Sequence, residues 1–242
     1  MWPGVLPDWI TGFTVQAILV AIFCIGIWLW FANKQTVVPS KKQFLGELGY
    51  NLIRNTIARD VLAENFRPYL PYLLALASFV IVNNLCGEFF LFMFPTTAKI
   101  GYVYGLALLS WILYNSVGIR KYGFFGYLKH STMPAGVPGP LYILIIPLEF
   151  LSNIIVRPVT LALRLFGNMF AGHLVVLVVV LGGTLLIENG MKSNLGLVAA
   201  GVGSFLFSFA IFALELLVAC IQAYIFTILT AQYVSSSLAE EH

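Results

Sequence analysis

The sequence predicts an all-α polytopic membrane protein with about five crossings, an amphipathic helix at the interface, and two long, strongly tilted helices at its end. Three observations carry this. The chain is 60% hydrophobic and only 10% charged, with a mean hydropathy of +0.92, whereas a soluble domain carries about 25% charged residues. It therefore has too little polar surface to cover itself in water. Its apolar residues fall in long uncharged runs, and the last two runs are about twice as long as a bilayer needs. The net charge of +3 and the lack of basic runs with interleaved aromatics argue against a nucleic-acid groove. Cys24, Cys86 and Cys220 are isolated in apolar runs without CxxC spacing, which supports neither a disulfide framework nor a zinc site.

Taken in order, the N-terminal MWPGVLPDW lacks the basic region of a signal peptide and is expected to remain in the mature chain. Residues 10–32 form the first uncharged run, long enough to cross a core of about 30 Å at about 1.5 Å per residue. Residues 40–66 mix Lys41, Lys42, Arg54, Arg59, Glu47, Asp60 and Glu64 with Phe44, Leu45, Leu48, Leu52, Ile57 and Val61 near helical spacing. That pattern is expected of a helix lying along the interface. Spans two and three are 69–94 and 100–119, joined by the turn-like Pro95-Thr96-Thr97-Ala98-Lys99. Arg120, Lys121, Lys129 and His130 follow, and then a loop rich in Pro and Gly through Pro140. Under the positive-inside preference, 34–67 and 120–130 are cytoplasmic and the N-terminus is outside. Five crossings then leave the C-terminus in the cytoplasm. The aromatics, including Trp2, Trp9, Trp28, Trp30 and Trp111, mostly fall near predicted span ends, as interfacial anchors do.

The final stretches, 141–187 and 195–234, are joined by a short polar link. A continuous helix of about 40 residues is about 60 Å long, while helices tilt by about 20° on average. Either each stretch breaks into two elements or both lie inclined, at about 60° to the normal. The second stretch has no proline, and an inclined antiparallel pair is best covered by a curved partner, so inclination is the preferred reading.

Within these runs lie Glu88, Glu149, Arg157, Arg164, His173 and Glu215, with Asn83, Asn84, Asn153, Asn168 and Gln222. Intramembrane charges cost at least a few kcal/mol each and normally mark ion or proton paths; the plain alternative is a set of structural ion pairs. Arg164 cannot deprotonate to escape the low dielectric. A fixed cation there attracts a migrating carboxylate and repels protons, so it can separate two half-channels. At about 100° per residue, Asn168 lies about 40° around the helix from Arg164 and His173 about 180° away. Arg164 and Asn168 are thus suited to a moving partner, and His173 to a wet path behind them. Glu215 and Gln222 are seven apart and share one helix face. Glu215 with His173 makes a proton relay, because imidazole titrates near neutrality; a static pair is the alternative. Glu149, before Pro158, is placed nearer the cytoplasm, where it serves an opposite access path or rests as an interfacial carboxylate. Glu88 reads as structural or as the mouth of a channel. There is no phosphate loop, GxGxxG turn, HExxH or nucleophile elbow, so no covalent chemistry, cofactor or metal is expected.

The segment Arg157-Pro158-Val159-Thr160-Leu161-Ala162-Leu163-Arg164-Leu165-Phe166-Gly167-Asn168-Met169-Phe170-Ala171-Gly172-His173 closely resembles subunit a of bacterial F-type rotary ATP synthases. Asn84-Leu85, Pro95-Thr96, Pro147-Leu148-Glu149 and Glu215 to Gln222 followed by Ala223-Tyr224-Ile225-Phe226 match as well, so the resemblance covers roughly 66–234. It implies a non-catalytic stator with two offset proton half-channels. Its implied partners are a rotor ring of hairpin subunits that each carry a membrane carboxylate, peripheral stalk subunits and, indirectly, the ATP-synthesising head. The long final helices would then tilt against that ring in a bacterial plasma membrane. By this resemblance Arg164 is the essential arginine, Asn168 its nearby asparagine and Gln222 the glutamine packed close to it. His173 and Glu215 match the outer half-channel pair with Glu and His exchanged between helices, and Glu149 matches a cytoplasmic half-channel carboxylate. Lys99 and Gly101 stand where many relatives have Asp and Asn, which speaks against an entry role for that turn. Proton rather than sodium is the expected ion, because His173 relays protons and no dense oxygen cage is present. The alternative from another class is a stand-alone proton-coupled secondary transporter, against which the chain shows no internal repeat.

Overall fold

Inside a bilayer each backbone N–H and C=O must find its partner within the protein, and a helix does this within a single segment. A computed structural model of the chain describes residues 12–33, 35–88, 96–132 and 141–239, apart from the side chains of 192 and 193. The N-terminal segment with Trp2 and Trp9, the end of the second expected span, the Pro/Gly loop at 133–140 and the last three residues lie outside the described residues. Among those described, every regular element is helical. These are α1 (Gly12–Ala32), α2 (Lys41–Asn51), α3 (Asp60–Leu62), α4 (Leu70–Glu88), α5 (Ile100–Thr132), α6 (Tyr142–Leu151), α7 (Arg157–Ser193) and α8 (Leu195–Leu238). Wider π-helical turns, Leu52–Arg59 and Ser152–Val156, join α2 to α3 and α6 to α7. Five stretches are long and apolar enough to cross a membrane: α1, α4, α5, the continuous course Tyr142–Met191, and α8.

The interfacial segment starts at Ser40, whose side chain accepts from the Gln43 N–H and so satisfies one of the free donors of the first turn. Its apolar residues divide between two sides. Ile53, Ile57, Ala58 and Leu62 are buried, while Phe44, Leu45, Leu48 and Leu52 each keep more than half of their surface exposed. The segment ends at Ala63, the one non-glycine residue among those described with positive φ (48°), where the chain turns up into α4. The basic stretch after Ile119 is helical. α5 continues to Thr132 but is broken at Gly123 (φ 72°, ψ 167°), a left-handed conformation that glycine adopts without a Cβ clash. Beyond this break the chain folds back. Tyr127 packs on Gly118, where a Cβ would overlap its ring, and its hydroxyl donates to Asn115 Oδ1 at 3.1 Å.

The interior comprises two apolar clusters stacked along α4, α5, α7 and α8. One joins Ile53, Ile57, Leu62, Leu70, Leu73, Tyr114, Val117, Ala231 and Val234. The other joins Leu76, Val80, Val103, Ala107, Leu161, Ala162, Leu165, Ala223 and Phe226. The first gathers the start of α4, the later part of α5 and the end of α8 beside the interfacial segment, so the basic residues collect at one end of the molecule. There Lys121 Nζ donates to the Leu238 carbonyl at 2.7 Å, and the Tyr122 hydroxyl donates to Ala239. These satisfy carbonyls that the end of α8 leaves free. The opposite end holds the end of α4, the start of α5 and the middle of α7 and α8.

α7 and α8 are antiparallel, joined at Asn194, whose side chain accepts from the Gly196 N–H at 2.9 Å. Near this hairpin Gly183, Gly190 and Gly201 bring the two backbones together; a Cβ on Gly201 would stand 2.8 Å from the Gly183 carbonyl. Ser204 Oγ donates across the same contact to the Val179 carbonyl at 2.8 Å.

Candidate functional site

The site begins with a defect in the helix that carries it. Pro158 has no N–H, so neither an α-type bond to the Ile154 carbonyl nor a π-type bond to the Asn153 carbonyl can form. α5 supplies both missing donors: Trp111 Nε1 reaches the Ile154 carbonyl at 3.1 Å, and the Tyr114 hydroxyl reaches that of Asn153 at 2.9 Å. The Arg157 N–H closes the wide turn on the Ser152 carbonyl. This clamp fixes the phase in which α7 leaves the turn, and thereby the direction of Arg164, two helical turns further on.

Leu161, Ala162, Leu165 and Met169 form the buried side of α7. Arg164 and Asn168 lie on its exposed side, and the exposed residues of the same stretch of α7 include the apolar Leu163 and Phe170. Among the described residues Arg164 has no ion-pair partner. Asn168 Nδ2 donates to Gln222 Oε1 at 2.7 Å, and Gln222 is 1% exposed. Arg164 and Asn168 thus lie one turn apart on the exposed side of α7, and Asn168 is tied to the buried Gln222 of α8.

His173 faces the other way. Its Nδ1 stands 3.1 Å from Glu215 Oε1, with the Glu215 side chain 6% exposed. Glu88, from the end of α4, joins them at 3.9 Å from the same nitrogen, its side chain 3% exposed. Potential ligand atoms of Glu88, His173 and Glu215 all lie within 4.8 Å of one another. The carboxylate of Glu215 fits because position 172 is glycine, where a Cβ would overlap it. One turn before Glu88, Asn84 donates to the Ala219 carbonyl at 3.3 Å and accepts from Thr97 Oγ1 at 3.0 Å, which ties α4 to α8 and to the turn before α5.

Glu149 lies far along the chain from this trio, on the other side of the π turn. Asn153 Nδ2 contacts Glu149 Oε2 at 3.4 Å and also donates to the Ser131 carbonyl, in the part of α5 that folds back after Gly123. The structure therefore gathers the six expected residues into three places: Glu149 towards the basic end, Arg164 with Asn168 and Gln222 in the middle, and His173 with Glu215 towards the opposite end. Glu88, read from sequence as peripheral, belongs to the last group. Trp111 and Tyr114 were not legible as supports of the site, since only the folded chain shows which carbonyls Pro158 strands and what lies across from them.

The family model described as ATP synthase A chain matches residues 13–235. The chain is 45% identical to ATP synthase subunit a of a Nocardioides species over 228 residues, covering 94% of this chain and 82% of that one. Similarity extends to the subunit a proteins of Pseudarthrobacter chlorophenolicus (39% over 250 aligned positions, 99% and 91% covered) and Streptomyces lividans (34% over 227, 93% and 79%). With a fold of apolar helices, a fixed arginine on an exposed face and a family match across nearly its whole length, the chain belongs to the ATP synthase subunit a family.

Proposed function

We propose a residue-level path for the proton-conducting, non-catalytic stator subunit that family membership makes this chain. The observation that carries it is the position of Arg164, an exposed, permanently charged group set in an apolar face between two polar clusters at opposite ends of the helix bundle. A guanidinium left against hydrocarbon is costly, so this face is matched to a carboxylate brought to it by a rotor ring of hairpin subunits. Protons enter from outside through Glu88, His173 and Glu215 and neutralise the rotor carboxylate. After nearly a full turn they leave past Glu149 to the cytoplasm. Arg164 blocks the direct route by repelling protons and by pairing with the carboxylate that has just released one. Asn168, held by the buried Gln222, is the polar group beside it.

The basic end, with Lys121, Lys129 and the interfacial segment, faces the cytoplasm. The N-terminus is then outside and the C-terminus inside a bacterial plasma membrane. α7 and α8 lie inclined against the ring, and peripheral stalk subunits hold the chain against rotation. The relatives carry the name of a subunit of a larger machine, which gives no support to a stand-alone transporter. The decisive variant is Arg164→Ala in the whole complex. It is expected to assemble and to lose ATP-driven proton pumping; normal pumping by the assembled variant would overturn the reading.

A further inference from the structure

Glu88, His173 and Glu215 come from three different helices, so the fold has built this cluster rather than inherited it from a sequence motif. Two carboxylates face one imidazole in a site where both acidic side chains are more than nine-tenths buried. Glu88 Oε1 is buried and receives no hydrogen bond, so the cost of taking a charged group out of water is left without a compensating donor. No arginine or lysine ion pair answers these carboxylates among the described residues. The cluster is therefore rich in lone pairs and short of positive charge.

We propose that Glu88, His173 and Glu215 bind a first-row divalent cation of the zinc type, and that its occupancy closes the outer proton path. One nitrogen and two carboxylate oxygens make a donor set that suits Zn²⁺ and its neighbours, whereas Mg²⁺ and Ca²⁺ favour shells of oxygen alone. Three protein ligands leave a fourth position for water. Ligand atoms around a tetrahedral zinc stand about 3.3 Å apart, from bonds of about 2.0–2.1 Å. The observed separations of 3.1 and 3.9 Å from His173 Nδ1 need only small side-chain adjustments to meet this. The ion would neutralise two buried carboxylates and occupy the lone pairs that otherwise pass protons. Closure rests on the outer-path reading given above; binding does not.

The test uses the purified whole complex, stripped of metal and titrated with Co²⁺, whose visible d–d absorption reports a four- or five-coordinate site. One equivalent per copy of this chain is expected, displaced by Zn²⁺, and lost in Glu88→Gln and His173→Gln complexes that retain wild-type subunit composition. If Glu88→Gln fails to assemble, Glu88→Asp serves instead and is expected to weaken Co²⁺ binding at least tenfold through its shorter reach. In proteoliposomes, Zn²⁺ added to the outer face is expected to inhibit passive proton conduction, with half-inhibition shifted at least tenfold in the Glu88 variant relative to its own uninhibited rate. Equal Co²⁺ binding by wild type and assembled variants, or none by wild type, would overturn the metal site. Binding that depends on these residues but leaves conduction unchanged would keep the site and overturn the outer-path reading.

Discussion

Residue 172 shows how small a change separates the proposed proton path from a packed helix crossing. Glycine there leaves room for the Glu215 carboxylate beside His173, and a single methyl group would overlap that carboxylate. Gly172→Ala is therefore expected to push Glu215 away from His173 and to lower proton conduction at least tenfold while the complex still assembles, because alanine favours the helix by about 1 kcal/mol. Passive conduction measured on assembled membrane sectors would check this, and an unchanged rate would remove Glu215 from the path. Arg164 shows the opposite economy. Its chemistry was readable from sequence because no other side chain holds a fixed charge so firmly. Glu88 was not, because whether a carboxylate near a helix end lies at a mouth or in a cluster depends on what packs against it. His173, 85 residues later in the chain, supplies that answer.

At the scale of the element, the wide turn Ser152–Val156 is where sequence and packing meet. Pro158 alone predicts a break in the hydrogen-bond ladder, but not how the stranded carbonyls are satisfied. Trp111 and Tyr114 do so from α5. Trp111→Phe and Tyr114→Phe keep the apolar bulk and remove the donor, leaving a stranded carbonyl in each case. Each is expected to cost about 1–3 kcal/mol, seen as a lower midpoint in thermal unfolding of the complex, and the double variant is expected to disturb the direction of Arg164 and so reduce pumping. Midpoints equal to wild type would show that the turn finds other donors. The interfacial segment gives a second lesson. Its apolar periodicity was legible, but the stripe divides between a side packed on the bundle and a side left exposed, and periodicity carries no record of which neighbour each residue meets.

Over the whole molecule, the two polar clusters lie at opposite ends, with two stacked apolar clusters from α4, α5, α7 and α8 between them. The basic end, where Lys121 and Tyr122 meet the end of α8, sets the expected orientation. In a background with the three native cysteines replaced, Lys129→Cys is expected to react with an impermeant maleimide in inverted vesicles and to be protected in intact cells. The reverse pattern would invert both half-channel assignments. Composition together with the length of the uncharged runs determined that the chain is an all-α membrane protein, because lipid admits only helices and closed barrels and a barrel strand needs only about ten residues. The run from Arg157 to His173 likewise identified the fixed cation and its family, since those side chains follow one another in the chain. The tertiary structure decided what those groups face. It brought Glu88 to His173 and Glu215, supplied donors to the turn ahead of Arg164, and buried Gln222 against Asn168. Each of these joins helices far apart in sequence, and such contacts are fixed by how the helices pack rather than by the pattern along any one of them.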